Sequence, residues 1–313
     1  VYQSSMIICA ILTMFACKFL FSIVDVWSLF FKKKSIKIAA FSLSALCLFA
    51  SAYGFLIGRF NMTPKYITVK NEKMPDSFDG YKVLQISDWH FVSLHGSEKE
   101  VSEWVDMMNA ENPDIICFTG DIITVLSDEM LPFMDALKRL RAKDGKFAIF
   151  GNHDFGTYHN WKYMETDEKH IAKMDSLIKE TGFDVLHDEY RIISKSGDSI
   201  AVVGMDKWDL SKIGRGMTVD TRLLLSHDPD FWSIDIDDSS DYFLTLTGHI
   251  HAMQVGLEFG DWETSLAALK FPYWHGLYER NGKQLIVNRG VGCTVIPVRL
   301  GMSPEYIVIT LKK

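Results

Sequence analysis

A membrane-tethered α/β domain is what this 313-residue sequence predicts, and three observations carry the expectation. Two long apolar stretches stand near the N-terminus. Behind them, short apolar runs of strand length alternate with amphipathic stretches of helical period. Five chemistry-bearing motifs each close one of those apolar runs.

The first apolar stretch, about 6–31, holds Lys18 and Asp25, which cost free energy in hydrocarbon unless they face a partner or each other. The second runs from Ala39 to Gly58, uncharged between Lys37 and Arg59, and has the length of a bilayer-spanning helix, about 20 residues. Residues 1–59 therefore read as a membrane anchor of two transmembrane helices, with an interfacial helix as the alternative for the first. A cleaved signal peptide fits less well, because no small-residue cleavage pattern follows a single short apolar core. A first residue Val1 in place of Met points to missing upstream sequence. Lys32, Lys33, Lys34 and Lys37 crowd the short loop between the spans and assign that loop to the cytoplasm, which puts the following domain across the cytoplasmic membrane. Arg59, Lys65, Lys70 and Lys73 weaken that contrast but are spread over a longer stretch that also holds acids.

Residues 60–80 read as a juxtamembrane connector and 81–313 as one soluble domain. Its strands are expected at Val83–Ser87, Ile115–Thr119, Phe147–Phe150, Arg191–Ser194, Ser199–Met205, Leu223–Ser226, Tyr242–Thr247, Gln284–Asn288 and Tyr306–Leu311. Amphipathic helices are expected near Glu98–Asn109, Asp128–Arg141 and Thr166–Lys179. Strand–helix alternation in the first half and a strand-rich second half fit a two-sheet core flanked by helices.

Charge separates the same two parts. The first 60 residues carry a net +5 and the whole chain −7, which leaves −12 on the remainder. An acidic domain offers no basic stripe for a nucleic-acid backbone, so nucleic acid is not an expected partner. Cys9, Cys17 and Cys47 fall in the spans; a single Cys117–Cys293 disulfide stays open, but no disulfide framework is implied.

The motifs are Asp88-Trp89-His90, Gly120-Asp121, Gly151-Asn152-His153-Asp154, His227 and Gly248-His249-Ile250-His251. Each follows a strand, so the candidate ligands gather at carboxyl ends of strands, where α/β sheets place their sites. A pair of divalent cations needs a bridging carboxylate, oxygen and imidazole ligands on each ion, and open positions for water and substrate. Asp121 is the candidate bridge. Asp88 and His90, two apart, turn toward one ion as the strand opens into a loop. His249 and His251 share that spacing and serve either one ion or two. Asn152 offers a neutral oxygen, leaving His153 for proton transfer, with Asp154 to hold its tautomer. Alone, each motif is weak: a Gly-Asp is usually a turn, and a lone His usually a packed residue. The conjunction in one order is what points to a metal site.

That motif set resembles the calcineurin-like metallophosphoesterase superfamily. The ending Gly276-Leu277-Tyr278, Val287-Asn288-Arg289-Gly290-Val291-Gly292, Pro297-Val298-Arg299-Leu300-Gly301 and Pro304-Glu305 is similar to its bacterial membrane-associated YkuE/YaeI-like branch. The resemblance covers roughly Tyr81 to Lys313. It implies a four-layer α-β-β-α sandwich and a dinuclear site of Mn, Fe, Zn or similar ions. Asp88, His90, Asp121 and His251 would hold one metal, and Asp121, Asn152, His227 and His249 the other, with His153 as catalytic acid. Two departures stand out: Phe91-Val92 and Ala252-Met253 occupy places where the branch commonly has glycine. Neither removes a ligand; both bear on substrate fit.

The implied reaction is hydrolysis of a phosphoester by a metal-bound hydroxide, the two ions being roughly 3.5–4 Å apart. A phosphodiester is the expected substrate. Ordinary packing of a long loop over the sheet is the preferred reading of the apolar segment Val255–Tyr278, which carries Phe259, Trp262, Leu266, Leu269, Phe271, Tyr273 and Trp274. With a membrane anchor nearby, the competing reading is a lipid-facing wall beside the site, suited to a lipid-linked substrate. Trp89, Tyr158 and Trp161 adjoin the motifs and are candidate pocket residues. Competing functions are a phosphomonoesterase or phosphoprotein phosphatase, a nucleotide-lipid pyrophosphatase, and a non-catalytic metal-binding membrane sensor.

Overall fold

Apolar runs buried on both faces become strands because each alternate side chain finds a different hydrophobic layer. The computed structural model describes residues 2–31, 34–156, 158, 167–206, 213, 217–219, 221–234, 242–260 and 262–313. Two helices lead, α1 (Tyr2–Phe31) and α2 (Lys34–Leu56), both long and apolar enough to cross a membrane. The strands that follow are β1 (Thr63–Lys70), β2 (Lys82–Ile86), β3 (Ile115–Phe118), β4 (Gly145–Ala148), β5 (Asp184–Val185), β6 (Tyr190–Lys195) and β7 (Asp198–Met205). Then come β8 (Arg222–Ser226), β9 (Tyr242–Thr247), β10 (Gly256–Phe259), β11 (Trp262–Ser265), β12 (Gly276–Arg280), β13 (Lys283–Val287) and β14 (Glu305–Lys312). Among the described residues four helices intervene: α3 (Glu98–Ala110), α4 (Met134–Leu137), α5 (Asp167–Glu180) and α6 (Asp230–Ile234).

Two six-stranded sheets form, in the orders β1-β14-β2-β3-β4-β5 and β12-β13-β9-β8-β7-β6, with β10-β11 as a separate hairpin. Pairing is parallel from β2 through β5 and from β7 through β9 to β13, as crossover connections require. Alternation then builds the layers. On β3, Ile115 and Cys117 enter the core between the sheets, while Ile116 and Phe118 face α3, α4 and α5. On β8, Leu223 and Leu225 join the inter-sheet core while Leu224 packs with Phe231 and Trp232 of α6. The result is the expected two-sheet sandwich with helices outside.

Two expectations need correction. The segment expected as a connector supplies β1, which pairs with β14 over eight residues from Thr63↔Glu305 to Lys70↔Lys312. The helix expected over Asp128–Arg141 is instead a 3-10 turn, Ser127–Phe133, followed by the single turn α4. Pro132 brings no N–H to that stretch, and Glu129 accepts the N–H groups of Thr124, Val125 and Leu126, so its carboxylate holds the preceding loop. Cys117 and Cys293 are both free and buried, so the open disulfide does not form.

The end of α2 sits against the domain. Arg299 N donates to Gly54 O at 3.2 Å. A Cβ on Gly58 would strike Arg299 O, so this approach needs glycine. Arg59, buried between the Phe55 and Phe60 rings, donates to Phe55 O and Ser93 O.

A buried ionic cluster ties the β10-β11 hairpin to β14. His275 Nε2 lies 3.0 Å from the Glu305 carboxylate and Nδ1 contacts Glu263, while Arg289 Nε is 2.9 Å from Glu305. Burial disfavours the charged imidazole, but Glu305 and Glu263 carry its pKa up to about 9 from an ordinary 6.5. A raised pKa means that the contribution is complete below 6.5 and lost as pH climbs through 9, on the order of 3 kcal/mol in all. Urea unfolding at pH 6 and pH 9.5 should show that loss in the parent chain and a much smaller one in His275→Gln; an equal loss in both would assign the dependence elsewhere.

Candidate metal centre

The five motifs meet at one end of the sandwich, where the carboxyl ends of β2, β3 and β4 of one sheet face those of β8 and β9 of the other. Backbone bonds lace their loops: Asp88 N donates to Gly120 O (2.9 Å), Gly248 N to His227 O (3.0 Å) and Gly292 N to Asp88 O (2.7 Å). Five candidate ligands have left-handed backbone, Asp88, His90, Asp121, His249 and His251, with φ of 53°, 42°, 57°, 71° and 54°. Such conformations cost roughly 1–3 kcal/mol each and persist where the surroundings impose them, typically at functional sites. The motif glycines have a packing reason: a Cβ on Gly151 would strike Asp121 Oδ1, and one on Gly248 would strike Asp88 Oδ2.

Among the described residues, donor atoms converge in three overlapping groups, Asp88–His90–His251, His90–Asp121–His153 and Asp121–His227–His249, each within 4.8 Å. His251 Nε2 is 3.1 Å from Asp88 Oδ1 and 3.1 Å from His90 Nε2. On the other side of Asp121, His227 Nε2 lies 3.0 Å from Oδ2 and 3.2 Å from His249 Nδ1. Asp121 therefore touches both groups, as a bridge would. His227 Nδ1 donates to Thr119 O at 2.7 Å, so Nε2 is the ring nitrogen turned toward Asp121.

The electrostatics suit cation binding. Burial would raise the Asp88 carboxyl, but His251, His227 and His90 hold it well below the usual range; His227 and His90 do the same for Asp121. Burial drives His90 down to about 3, so its ring is neutral. His227 also loses hydration on burial, but Asp121 carries it up to about 10, a proton occupying the place a cation would take. Ionised carboxylates beside buried imidazoles are the donor set that divalent ions of the zinc, iron and manganese kind accept. The residues present fit such a pair.

His153 stands beside this cluster. Its backbone N donates to Asp121 Oδ1 (2.9 Å) and its Nδ1 donates to Thr124 O (2.7 Å), aiming Nε2 away from that loop. Its ring packs against His90, centroids 4.8 Å apart, and against Tyr158 at 4.3 Å. The expected Asp154–His153 pairing does not form. Asp154 is fully buried and accepts from the N–H groups of Asp121, Ile122, Ile123 and Gly151, so it clamps the two loops together instead. Adjacent side chains diverge, and Thr124 O takes the orienting part.

Trp89 is also reassigned. The turn that points Asp88 and His90 into the cluster sends Trp89 the other way, fully buried against Phe91 and Trp104. Tyr158 does border the site, accepting from Asn152 Nδ2 at 3.0 Å. Trp161 lies outside the described residues. Sequence reasoning passed over Thr294 and Val295, which line the cavity beside the cluster. Arg299, named from the sequence only as part of the family-like ending, donates its guanidinium N–H groups to Arg289 O, Gly290 O, Gly292 O and Met302 O and so braces the loop under Asp88.

Comparison with known proteins gives the following. The family model for calcineurin-like phosphoesterases matches residues 81–273. The uncharacterized metallophosphoesterase YkuE of Bacillus subtilis is 31% identical over 256 residues, 78% of this chain and 84% of its own. An uncharacterized metallophosphoesterase of Aquifex aeolicus is 28% identical over 85% of this chain and 98% of its own. A Danio rerio transmembrane protein with a metallophosphoesterase domain is 26% identical over 90% of this chain and 65% of its own.

Proposed function

The chain belongs to the calcineurin-like phosphoesterase family, and on that premise we propose that it is a membrane-anchored phosphodiesterase acting outside the cytoplasm. It is a metal-dependent phosphoester hydrolase, and its cofactors are two divalent cations. In the proposed assignment, Asp88, His90, Asp121 and His251 hold one cation and Asp121, Asn152, His227 and His249 the other. When bound, the cations would lower the pKa of water and neutralise the phosphoryl oxygens. The remaining work falls to the chain. Thr119 O and Thr124 O fix the tautomers of His227 and His153. The attacking water would release one proton to solvent as its oxygen bonds to phosphorus, the ester P–O bond would break, and the leaving oxygen would take a proton from His153 Nε2. Asp154 serves by holding the Asp121 and Gly151 loops in register.

The observation that favours a diester is the lining of the cavity, about 520 Å³, beside the cluster. Among the described residues it has no Lys or Arg, and Ile8, Val125 and Val295 stand there with the donor atoms. A monoester dianion gains from cationic side chains on its oxygens; a diester monoanion with two organic arms does not need them. Helices α1 and α2, with relatives described as transmembrane, support membrane association. The basic inter-helix loop, of which Lys32 and Lys33 lie outside the described residues, supports the extracytoplasmic side in the cytoplasmic membrane.

The test compares bis-p-nitrophenyl phosphate with p-nitrophenyl phosphate, using the purified chain in detergent and a titration of Mn²⁺. The expected kcat/KM for the diester is at least about tenfold higher. Preference for the monoester would sink the diester assignment, and cleavage of neither by metal-loaded protein would return the chain to the sensor class.

A further inference from the structure

Helix α1 borders the candidate site through two of its side chains. Ile8 lines the cavity that holds Asp121, Asn152, His153, His249 and His251, and Leu12, one turn on, lines a second cavity of about 380 Å³. The two cavities share His249, His251, Thr294 and Val295, so they adjoin beside the donor cluster. Residues four apart project from one face of a helix. One apolar face of a bilayer-length helix is therefore a wall of both.

The rest of the second cavity is mixed and strained. Met253, Val255, Phe271 and Ile296 supply apolar surface there, and Gln254, Lys270 and Thr294 supply polar groups. Met253 has φ 48° within a run of four left-handed residues, His251 to Gln254. Val295, at φ 58° and 72% exposed, stands where the cavities join. A β-branched residue with positive φ is a steric outlier, and strain kept at a cavity rim points to a use for the side chains there. Gln254 keeps the rim in place by accepting from Thr294 N and donating to Ile296 O and Val298 O.

We propose that this trench between α1 and the 253–255 and 294–296 segments holds one alkyl chain of a membrane lipid phosphoester, delivering its phosphate to the metal cluster from the bilayer. The proposal rests on the phosphodiesterase reading for its chemistry but not for the binding. A soluble ligand has no need of a lipid-facing helix as its wall. An alkyl chain already in the bilayer reaches the trench along α1 without crossing water.

The full chain is reconstituted in phosphatidylcholine vesicles for two measurements. In the first, hexadecyl phosphate carrying a mid-chain diazirine is photolysed without added metal, and labelled peptides are mapped. Label on 253–255 and 294–296 as well as on α1, displaced by excess dodecyl phosphate and reduced at least about tenfold in Leu12→Trp, is the expected result. Label confined to α1 and α2 would overturn the proposal. In the second, the Mn²⁺-loaded chain is given ethyl and hexadecyl p-nitrophenyl phosphates, which share one reacting centre. The hexadecyl-to-ethyl ratio of kcat/KM should be roughly 100-fold from burial of a few methylenes and should fall about tenfold in Leu12→Trp and in Met253→Asp. A ratio of one, or a ratio unmoved by both variants, would overturn the trench and leave only partition into the vesicle. If neither ester is cleaved while the labelling pattern is as expected, the hydrolytic reading fails and the lipid site stands.

Discussion

Asp121→Ala is expected to empty both metal positions and to lower turnover by at least on the order of 10³-fold. The magnitude follows from the position of one side chain. Asp121 Oδ2 lies 3.0 Å from His227 Nε2 and 3.6 Å from His90 Nε2, so its carboxylate belongs to both donor groups. Its removal takes the shared anion from each cation. Oδ1 also accepts from His153 N, so His153 loses an anchor in the same step. Metal content by inductively coupled plasma mass spectrometry, with diester turnover on the same sample, checks this. One cation retained at full occupancy would show that Asp121 serves a single ion.

His153→Ala should leave both cations in place and lower turnover by about 10²–10⁴-fold, the usual worth of a positioned general acid. A leaving-group comparison separates that part from a structural one. p-Nitrophenolate leaves without protonation, whereas an alkoxide needs a proton, so the variant should lose far more on an alkyl ester than on a nitrophenyl ester. Equal losses on both would remove the acid assignment. Loss of metal would make His153 a ligand, a competing possibility on geometric grounds, since its donor atom lies within 4.8 Å of those of His90 and Asp121.

The sandwich was readable where burial on both faces forced apolar runs, as at Ile115–Phe118 and Leu223–Leu225. Edge strand β1 was not, because Lys65 and Lys70 on a half-exposed strand look like a linker. The candidate ligands stood out because few other chemistries need Asp-X-His, Gly-Asn-His-Asp and Gly-His-X-His together. What could not be seen was the left-handed backbone at Asp88, His90 and Asp121, which depends on tertiary packing, and with it the inward turn of Trp89. Thr124 O, the partner of His153, carries no residue-type signal because every residue offers a carbonyl. Ile8 and Leu12 were equally hidden, since an apolar helix does not declare which of its faces meets lipid and which meets a site.

The place of β14 between β1 and β2 has a consequence for how the molecule is made. Synthesis delivers β1 just behind α1 and α2 and β14 after every other described strand, yet Thr63 must lie opposite Glu305 and Ile307 opposite Gln85. Until that last strand arrives, both partners present open, hydrogen-bond-hungry edges. Closure over so long a stretch of chain is slow, and an incomplete sheet is prone to wrong pairing. The nascent domain would wait half-zipped behind its two leading helices, and its first sheet would lock only when the final strand slides into the gap.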